Sequence, residues 1–183
     1  MKRHQAGFTM VELIVVIIIL GVLAAVALPR FTNLQRDARV AKLNGAKGAV
    51  AASMALVHGA AMARQGVVQP ACAVGGTPNI AAATGTGTIC TEGGLVAVTR
   101  LYPAPTLQGV VIGAGIVQVN SGATNAQINT ALAADGYAAT VTGTAVTLQV
   151  TGGPAAANCS FTYTAPPVLG QSPSLSAVNS TGC

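Results

Sequence analysis

Charged side chains are scarce in this sequence, and aromatic ones are scarcer. Charged residues make up 7% of the 183 residues, aromatic residues make up 3%, and there is no tryptophan. An average soluble domain holds about 25% charged residues. Few large side chains are therefore available to anchor a deep core. The length predicts one globular domain rather than two.

The few charges are unevenly placed along the chain. Lys2 and Arg3 precede a long apolar run, and further basic residues follow it at Arg30, Arg36, Arg39, Lys42, Lys47 and Arg64. From residue 65 to the end, the only charged residues are Glu92, Arg100 and Asp135. The pI near 9.4 thus describes the first third of the chain. Nucleic-acid binding needs Lys and Arg clustered on a folded face, so we expect no nucleic-acid partner.

Catalytic and cofactor motifs are lacking as well. The two histidines are His4 and His58, and His4 lies in the short polar start of the chain. Glu92 and Asp135 are lone carboxylates without a partner at a useful spacing. The chain has no phosphate-binding loop, no HExxH and no G-x-S-x-G. We therefore expect no enzymatic activity, no cofactor and no metal site.

Four cysteines are present, and no two of them form a CxxC pair, which argues against zinc ribbons and thioredoxin-type motifs. In an exported chain an even number of cysteines suggests disulfides. Four cysteines allow three pairings, of which local loops favour Cys72–Cys90 and Cys159–Cys183. Each bridge would stabilise the folded domain by about 2–4 kcal/mol.

The N-terminal segment gives the strongest indication of where the chain is located. Residues 1–7 are short, polar and basic, and residues 8–28 are apolar except for Thr9 and Glu12. About 20 apolar residues suffice to cross a bilayer as a helix. Lys2 and Arg3 place the N-terminus in the cytoplasm by the positive-inside rule, which puts the bulk of the chain outside.

Two simpler interpretations compete for this segment. One is a plain membrane anchor, and the other is an ordinary secretory signal cleaved after Ala25-Val26-Ala27. Glu12 argues against both, because a carboxylate within an apolar span costs about 2.5–3.5 kcal/mol at the membrane centre. Neither an anchor nor a signal sequence gains anything from that carboxylate.

The sequence Gly7-Phe8-Thr9-Met10-Val11-Glu12 resembles the prepilin cleavage motif of type IV pilins. The resemblance implies that a prepilin peptidase cuts between Gly7 and Phe8 and methylates the new amino group of Phe8, and that Glu12 serves in assembly. Gly21 and Pro29 stand where these pilins carry helix-perturbing residues. Residues 29–39 are similar to the corresponding segment of mannose-sensitive-haemagglutinin-type (MSHA) pilins.

Physical chemistry agrees with that role for Glu12. Inside a fibre of packed apolar helices, an α-amino group and a carboxylate are each costly when buried alone. Glu12 of one subunit can neutralise the amine of Phe8 on its neighbour, which also fixes the axial register. Removing one partner of such a buried pair costs about 3–5 kcal/mol.

One long helix is predicted from Phe8 to about Ala63. After Pro29, which kinks or breaks helices, apolar residues return at spacings near 3.6. We divide the chain into a leader (1–7), a transmembrane and filament-core helix (8–29), an amphipathic half-helix (30–63) and a globular head (64–183). Together they predict an α+β fold in which the helix packs on an antiparallel sheet of about four strands, closed by a disulfide-bonded C-terminal loop, as in type IV pilins.

Within the head, the pattern predicts a loop over residues 65–94 and a strand over residues 95–102. Residues 107–119 are apolar, but their glycines fit neither a regular helix nor a strand. A short helix follows over 123–134, then two strands over 137–142 and 145–151 joined by Gly143-Thr144. A last strand covers 158–164, ahead of a tail rich in Ser, Gly and Pro.

The sequence therefore predicts a structural subunit of an extracellular type IV pilus, serving adhesion, motility or aggregation. Its expected partners are copies of itself, the prepilin peptidase and the inner-membrane assembly machinery. It would lie in the inner membrane as a precursor and on the cell surface as a filament. The alternatives are a pseudopilin or minor pilin of a type II secretion or DNA-uptake system, and a secreted disulfide-bonded binding module.

Overall fold

A computed structural model describes residues 8–72, 76–120 and 122–183, with only the backbone described for residues 28–33. The chain divides into two compact units, one ending at Ala38 and the other spanning Arg39–Cys183. A single helix, α1 (Met10–Arg64), contributes residues to both units. The long helix predicted from Phe8 to Ala63 is therefore confirmed.

The first unit consists of the early part of α1. Its apolar residues from Met10 to Ala27 have a mean hydropathy of 3.0 and are long enough to cross a membrane. A second stretch of α1, Leu34–Arg64, also passes by length and composition, with a mean hydropathy of 1.2. The helix continues through Pro29 without a break. A bend at Gly21 or Pro29 stays a prediction.

The second unit begins with the rest of α1 and a first antiparallel sheet. Its strands are β1 (Asn79–Ile80), β2 (Gly87–Thr91), β3 (Gly94–Thr99) and β4 (Tyr102–Pro103), paired in chain order. Residues 95–102, predicted as one strand, are interrupted at Arg100 and Leu101. Both residues have positive φ, +53° and +70°, which is the two-residue hairpin geometry that favours Asn or Gly.

Two helical segments link the sheets. A π-helix covers Leu107–Ile112 and is capped by the Thr106 hydroxyl, which accepts a hydrogen bond from Gly109 N at 3.0 Å. The helix α2 (Asn125–Ala134) begins with a capping box between Thr124 and Gln127 and buries Ile128 and Leu132. The prediction of a short helix at this place is confirmed.

The second antiparallel sheet contains β5 (Tyr137–Thr142), β6 (Ala145–Val150), β7 (Ser160–Thr164) and β8 (Ser174–Leu175), again in chain order. A short 3₁₀ helix, Ala156–Asn158, precedes β7. The predicted hairpin is confirmed, because β5 and β6 pair over their full length and Gly143 adopts φ +57°.

The core of the second unit unites α1, both sheets and the two intervening helical segments. One face of α1 is buried in this core through Leu43, Val50, Val57 and Ala61. Tyr163 and Phe161 of β7 are its largest fully buried side chains. Tyr163 donates a hydrogen bond of 2.5 Å to the carbonyl of Pro103, so the scarce aromatic residues tie the second sheet to the first.

The predicted fold class is confirmed: a long N-terminal helix precedes antiparallel sheets, and a disulfide closes the C-terminal region. The strands form two four-stranded sheets, however, where the sequence predicted about four strands in all. The prediction that residues 65–94 form only a loop is wrong, since β1 and β2 lie there. The strands β1, β4 and β8 have two residues each, too few for an alternating pattern to be visible in the sequence.

Candidate functional site

Thr9 and Glu12 form a capping box at the start of α1. The Glu12 carboxylate accepts hydrogen bonds from the Thr9 backbone N–H at 2.9 Å and from the Thr9 hydroxyl at 2.7 Å. In return, the Thr9 hydroxyl lies 3.3 Å from the backbone N of Glu12. The box satisfies two N–H groups that have no partner within the helix. Glu12 thus caps its own helix, a role that its charge alone does not predict.

Beyond Glu12, every side chain from Leu13 to Val26 is exposed. Phe8 is 82% exposed, and the branched aliphatic side chains of this stretch are between 45% and 65% exposed. Burying an aliphatic side chain of this size contributes about 1.5–3 kcal/mol. A helix that is apolar on all sides needs an apolar environment around it, either lipid or other helices.

Two of the predicted site positions fall partly or wholly outside the described residues. Gly7, on the leader side of the predicted cut, lies outside them. Pro29 lies within α1, but its side chain belongs to the stretch of which only the backbone is described. Gly21 lies on the exposed helix, where an added Cβ would meet nothing within 4 Å.

The cations in the second half of α1 are mostly engaged with the head. Arg39 donates to the carbonyl of Cys183, and Arg64 donates to the carbonyl of Cys90 at 3.1 Å. Lys42 donates to the carbonyl of Asp135, and its Nζ lies 4.3 Å from the centre of the Tyr137 ring. These side chains fasten the helix to both disulfide-bonded regions and to the end of α2.

The opposite face of the same half-helix is lined by small residues. Its exposed positions repeat at spacings of three and four: Ala41, Gly45, Gly48, Ala52, Ala55 and Gly59. A glycine inside a helix costs about 1 kcal/mol relative to alanine. A Cβ added at Gly45, Gly48 or Gly59 would meet nothing within 4 Å, so the fold of the subunit gives no steric reason for these glycines. Such a face allows another backbone to approach closely.

Both disulfides are present, Cys72–Cys90 and Cys159–Cys183, with Cα atoms 5.6 and 4.7 Å apart. The first joins the segment after α1 to β2. The second joins the residue before β7 to Cys183, and both of its cysteines are buried. Backbone contacts extend this closure, because Gly182 N donates to the carbonyl of Asn158 at 3.0 Å.

His58 packs within the head. Its ring stacks on Tyr102 with centroids 4.1 Å apart and 4° between the planes, and its Nδ1 lies 3.1 Å from the carbonyl oxygen of Leu101. The histidine thus supports the Arg100–Leu101 turn. Among the described residues there is no group of three or more His, Cys, Asp or Glu that could hold a metal ion.

A long apolar N-terminal helix, antiparallel sheets and a closing disulfide together give an α+β protein with the features of the type IV pilin fold. Residues 2–28 match the family of the prokaryotic N-terminal methylation motif. The match covers the predicted leader from Lys2 onwards, the predicted cut and the apolar helix as far as Leu28. The start of the chain therefore carries an N-terminal methylation motif.

Similarity to individual proteins is also limited to a part of the chain. The chain is 40% identical over 53 residues to the type II secretion system core protein G of Pseudomonas aeruginosa. The aligned region covers 29% of this chain and 37% of that protein. It is 42% identical over 50 residues to the type IV narrow pilus major component PilA5 of Thermus thermophilus, covering 27% and 43%. It is 40% identical over 48 residues to the type IV major fimbrial protein FimA of Dichelobacter nodosus, covering 26% and 31%.

These similarities support a type IV pilin-like protein. The matched region spans less than half the length of each relative. No solved structure is significantly similar to the chain.

Proposed function

We propose that this chain is the structural subunit of an extracellular type IV pilus and polymerises through its N-terminal helix. The observation that carries the proposal is the continuous exposed apolar surface of residues 13–26, headed by a single carboxylate at Glu12. Neighbouring helices in a filament would cover that surface. The similarity to two major pilus components supports the same function.

Processing at the N-terminus prepares the subunit in this proposal. A prepilin peptidase cuts between Gly7 and Phe8, which removes Lys2 and Arg3 and with them the attachment to the cytoplasmic face. The cut exposes the amino group of Phe8, which is then methylated. In the filament, Glu12 pairs with that amino group on a neighbouring subunit, while in the isolated subunit its carboxylate caps α1.

The proposal also assigns where the chain lies before and after assembly. The precursor lies in the inner membrane through residues 8–29, with the head (64–183) outside, and the assembly machinery transfers it into a surface filament. The amphipathic half-helix (30–63) connects the two. The subunit is not an enzyme, and its place in the MSHA-type subgroup rests on residues 29–39.

Shearing surface filaments from cells, imaging them and identifying their most abundant protein tests the proposal. We expect this chain to be the main component and the filaments to vanish when its gene is deleted. Filaments that persist unchanged after deletion would contradict the role of a structural subunit.

A second candidate is a pseudopilin of a secretion system, favoured by the 40% identity to a type II secretion core protein. In that case deletion would stop the release of secreted proteins into the medium and leave the surface filaments in place. A third candidate, a secreted disulfide-bonded module, predicts a mature chain that starts at Leu28 after cleavage of an ordinary signal sequence.

A further inference from the structure

An apolar groove of about 480 Å³ opens on the second unit between α1, β2 and the segment after the π-helix. Its floor consists of buried aliphatic side chains, Val57, Ile89, Ile112 and Val117. At the rim, Leu56 is 74% exposed and Glu92 projects from the turn between β2 and β3. Among the described residues, Glu92 is the one charged residue that lines this groove.

The charges of the second unit are few, and most of its cations are already engaged. Four of them donate to backbone carbonyls of their own subunit, namely Arg39, Lys42, Arg64 and Arg100. The remaining cation is Lys47. In the described part of the chain, neither the Lys47 ammonium nor the Glu92 carboxylate has a hydrogen-bond or ion-pair partner. The Asp135 carboxylate likewise has no hydrogen bond among the described residues, but it lies outside the groove, whereas Glu92 lines it.

We propose that the groove receives the α1 helix of a second copy, with Lys47 of that copy paired to Glu92 at the rim. This inference rests on the proposed function, because it requires copies of the chain to polymerise. Next to Lys47, the exposed residues Gly48, Ala51 and Ala52 are small. They allow the helix backbone to approach Leu56 and the apolar floor closely.

The two contacting surfaces differ, and this determines the kind of assembly. In this proposal each copy uses the helix face around Lys47 towards one neighbour and the groove around Glu92 towards another, which makes the contact heterologous rather than two-fold symmetric. Heterologous contacts that do not close into a ring generate open helical polymers. The ion pair lies at an exposed rim, where such pairs contribute to register and partner selection more than to affinity.

Carbodiimide cross-linking of sheared filaments tests the pairing directly, because this reagent joins a lysine amine to a carboxylate without a spacer. Downstream of Phe8 the lysines are Lys42 and Lys47, and the acidic side chains are Glu12, Asp37, Glu92 and Asp135. We expect covalent multimers whose digestion yields a peptide pair joining Lys47 to Glu92. Filaments that cross-link without this pair would overturn the proposal.

Charge reversal provides an independent test in cells. Glu92→Lys and Lys47→Glu should each lower the yield of sheared filaments several-fold, and the double variant should restore much of it. The matched control uses neutral substitutions: Glu92→Gln should also lower the yield, whereas Asp135→Asn serves as the control, because Asp135 is also exposed, lies away from the groove and gains no cation beside Lys42. The filament yield of Asp135→Asn should stay close to that of the wild type.

The outcomes separate this inference from the proposed function. If the wild type forms no filaments of this chain, the proposed function fails. If filaments form but both single reversals assemble normally, or if the double reversal assembles no better than the singles, only the pairing is overturned. Thermal unfolding of each full-length variant in detergent distinguishes a lost contact from a misfolded head.

Discussion

The same helix serves two regions of this molecule in opposite ways. In the first unit, every side chain from Leu13 to Val26 is exposed. In the second unit, the helix buries Leu43, Val50 and Val57 in a core shared with two sheets and fastened by two disulfides. The first region therefore depends on its surroundings for burial, whereas the second completes its burial within one chain.

Substitutions at Glu12 should have the largest effect of all, because they act on assembly through the first region and leave the head intact. We expect Glu12→Ala to insert into the membrane but to yield almost no filaments, since an unpaired buried amine costs about 3–5 kcal/mol. The measurement is the yield of sheared filaments relative to the amount of subunit in the membrane.

Glu12→Gln serves as the matched control for the capping box. Glutamine can replace glutamate in a capping box, so this variant keeps the helix start and loses only the charge. Thr9→Ala weakens the cap by about 1 kcal/mol and keeps the charge. If Glu12→Gln assembles normally while Thr9→Ala does not, the cap and not the ion pair is what assembly requires.

Removing the Cys159–Cys183 disulfide should have the next largest effect, and only on the head. Replacing both buried cysteines by alanine should lower the free energy of unfolding by about 2–5 kcal/mol. Urea unfolding of the full chain in detergent measures this loss. The double alanine variant of Cys72 and Cys90 gives the comparison for the other loop. Membrane insertion of both variants should match the wild type, and a defect there would contradict the independence of the two regions.

Tyr163 links the two sheets of the head, and its loss should have an intermediate effect. Tyr163→Phe leaves the carbonyl of Pro103 without this donor, which should cost about 1–3 kcal/mol at neutral pH.

The same residue gives the head a pH dependence. Burial raises the pKa of the Tyr163 phenol, and the nearby Tyr102 raises it further. Folding therefore favours the neutral phenol. This contribution to stability is present below the unfolded pKa of about 10 and is lost as the pH rises towards the folded value. Between neutral and strongly alkaline pH, the free energy of unfolding should fall less steeply with pH for Tyr163→Phe than for the wild type. Equal slopes would contradict this account.

Glycine-to-alanine substitutions in the two regions should have the smallest effects on stability, and they should differ between the regions. At Gly109, in the π-helix, an added Cβ would lie 2.1 Å from the carbonyl oxygen of Ala104, so Gly109→Ala should destabilise the head by about 1–3 kcal/mol. At Gly21, a Cβ meets nothing within 4 Å, and Gly21→Ala should change the stability of the head by less than about 0.5 kcal/mol. Thermal unfolding of the two variants decides this, and a comparable loss at Gly21 would show that the regions are coupled.

What the sequence predicts well are the elements with long or repeated patterns. The apolar run, the periodicity of α1, the short helix over residues 123–134 and the alternation around Gly143 each depend on local residues, and the structure has helix or hairpin at each place. The strand predicted over residues 158–164 corresponds to β7, whereas β8 lies in the stretch predicted as a tail.

Other features depend on tertiary contacts and leave no local signal. The Arg100–Leu101 turn contains neither Gly nor Asn and is held by Leu101 N donating to the carbonyl of Gly85 at 2.8 Å and by His58. The π-helix at Leu107–Ile112 is almost wholly buried, so its apolar residues show no periodicity. The capping box of α1, in contrast, has a local signal, because Thr9 and Glu12 stand at the Thr-x-x-Glu spacing of such boxes.

The mass of the N-terminal peptide from sheared filaments tests the central claim most directly. The account predicts a peptide that begins at Phe8 and carries one additional methyl group on its amino nitrogen. A filament-free culture medium that contains the chain beginning at Leu28, or filaments whose subunits retain residues 1–7, would contradict it.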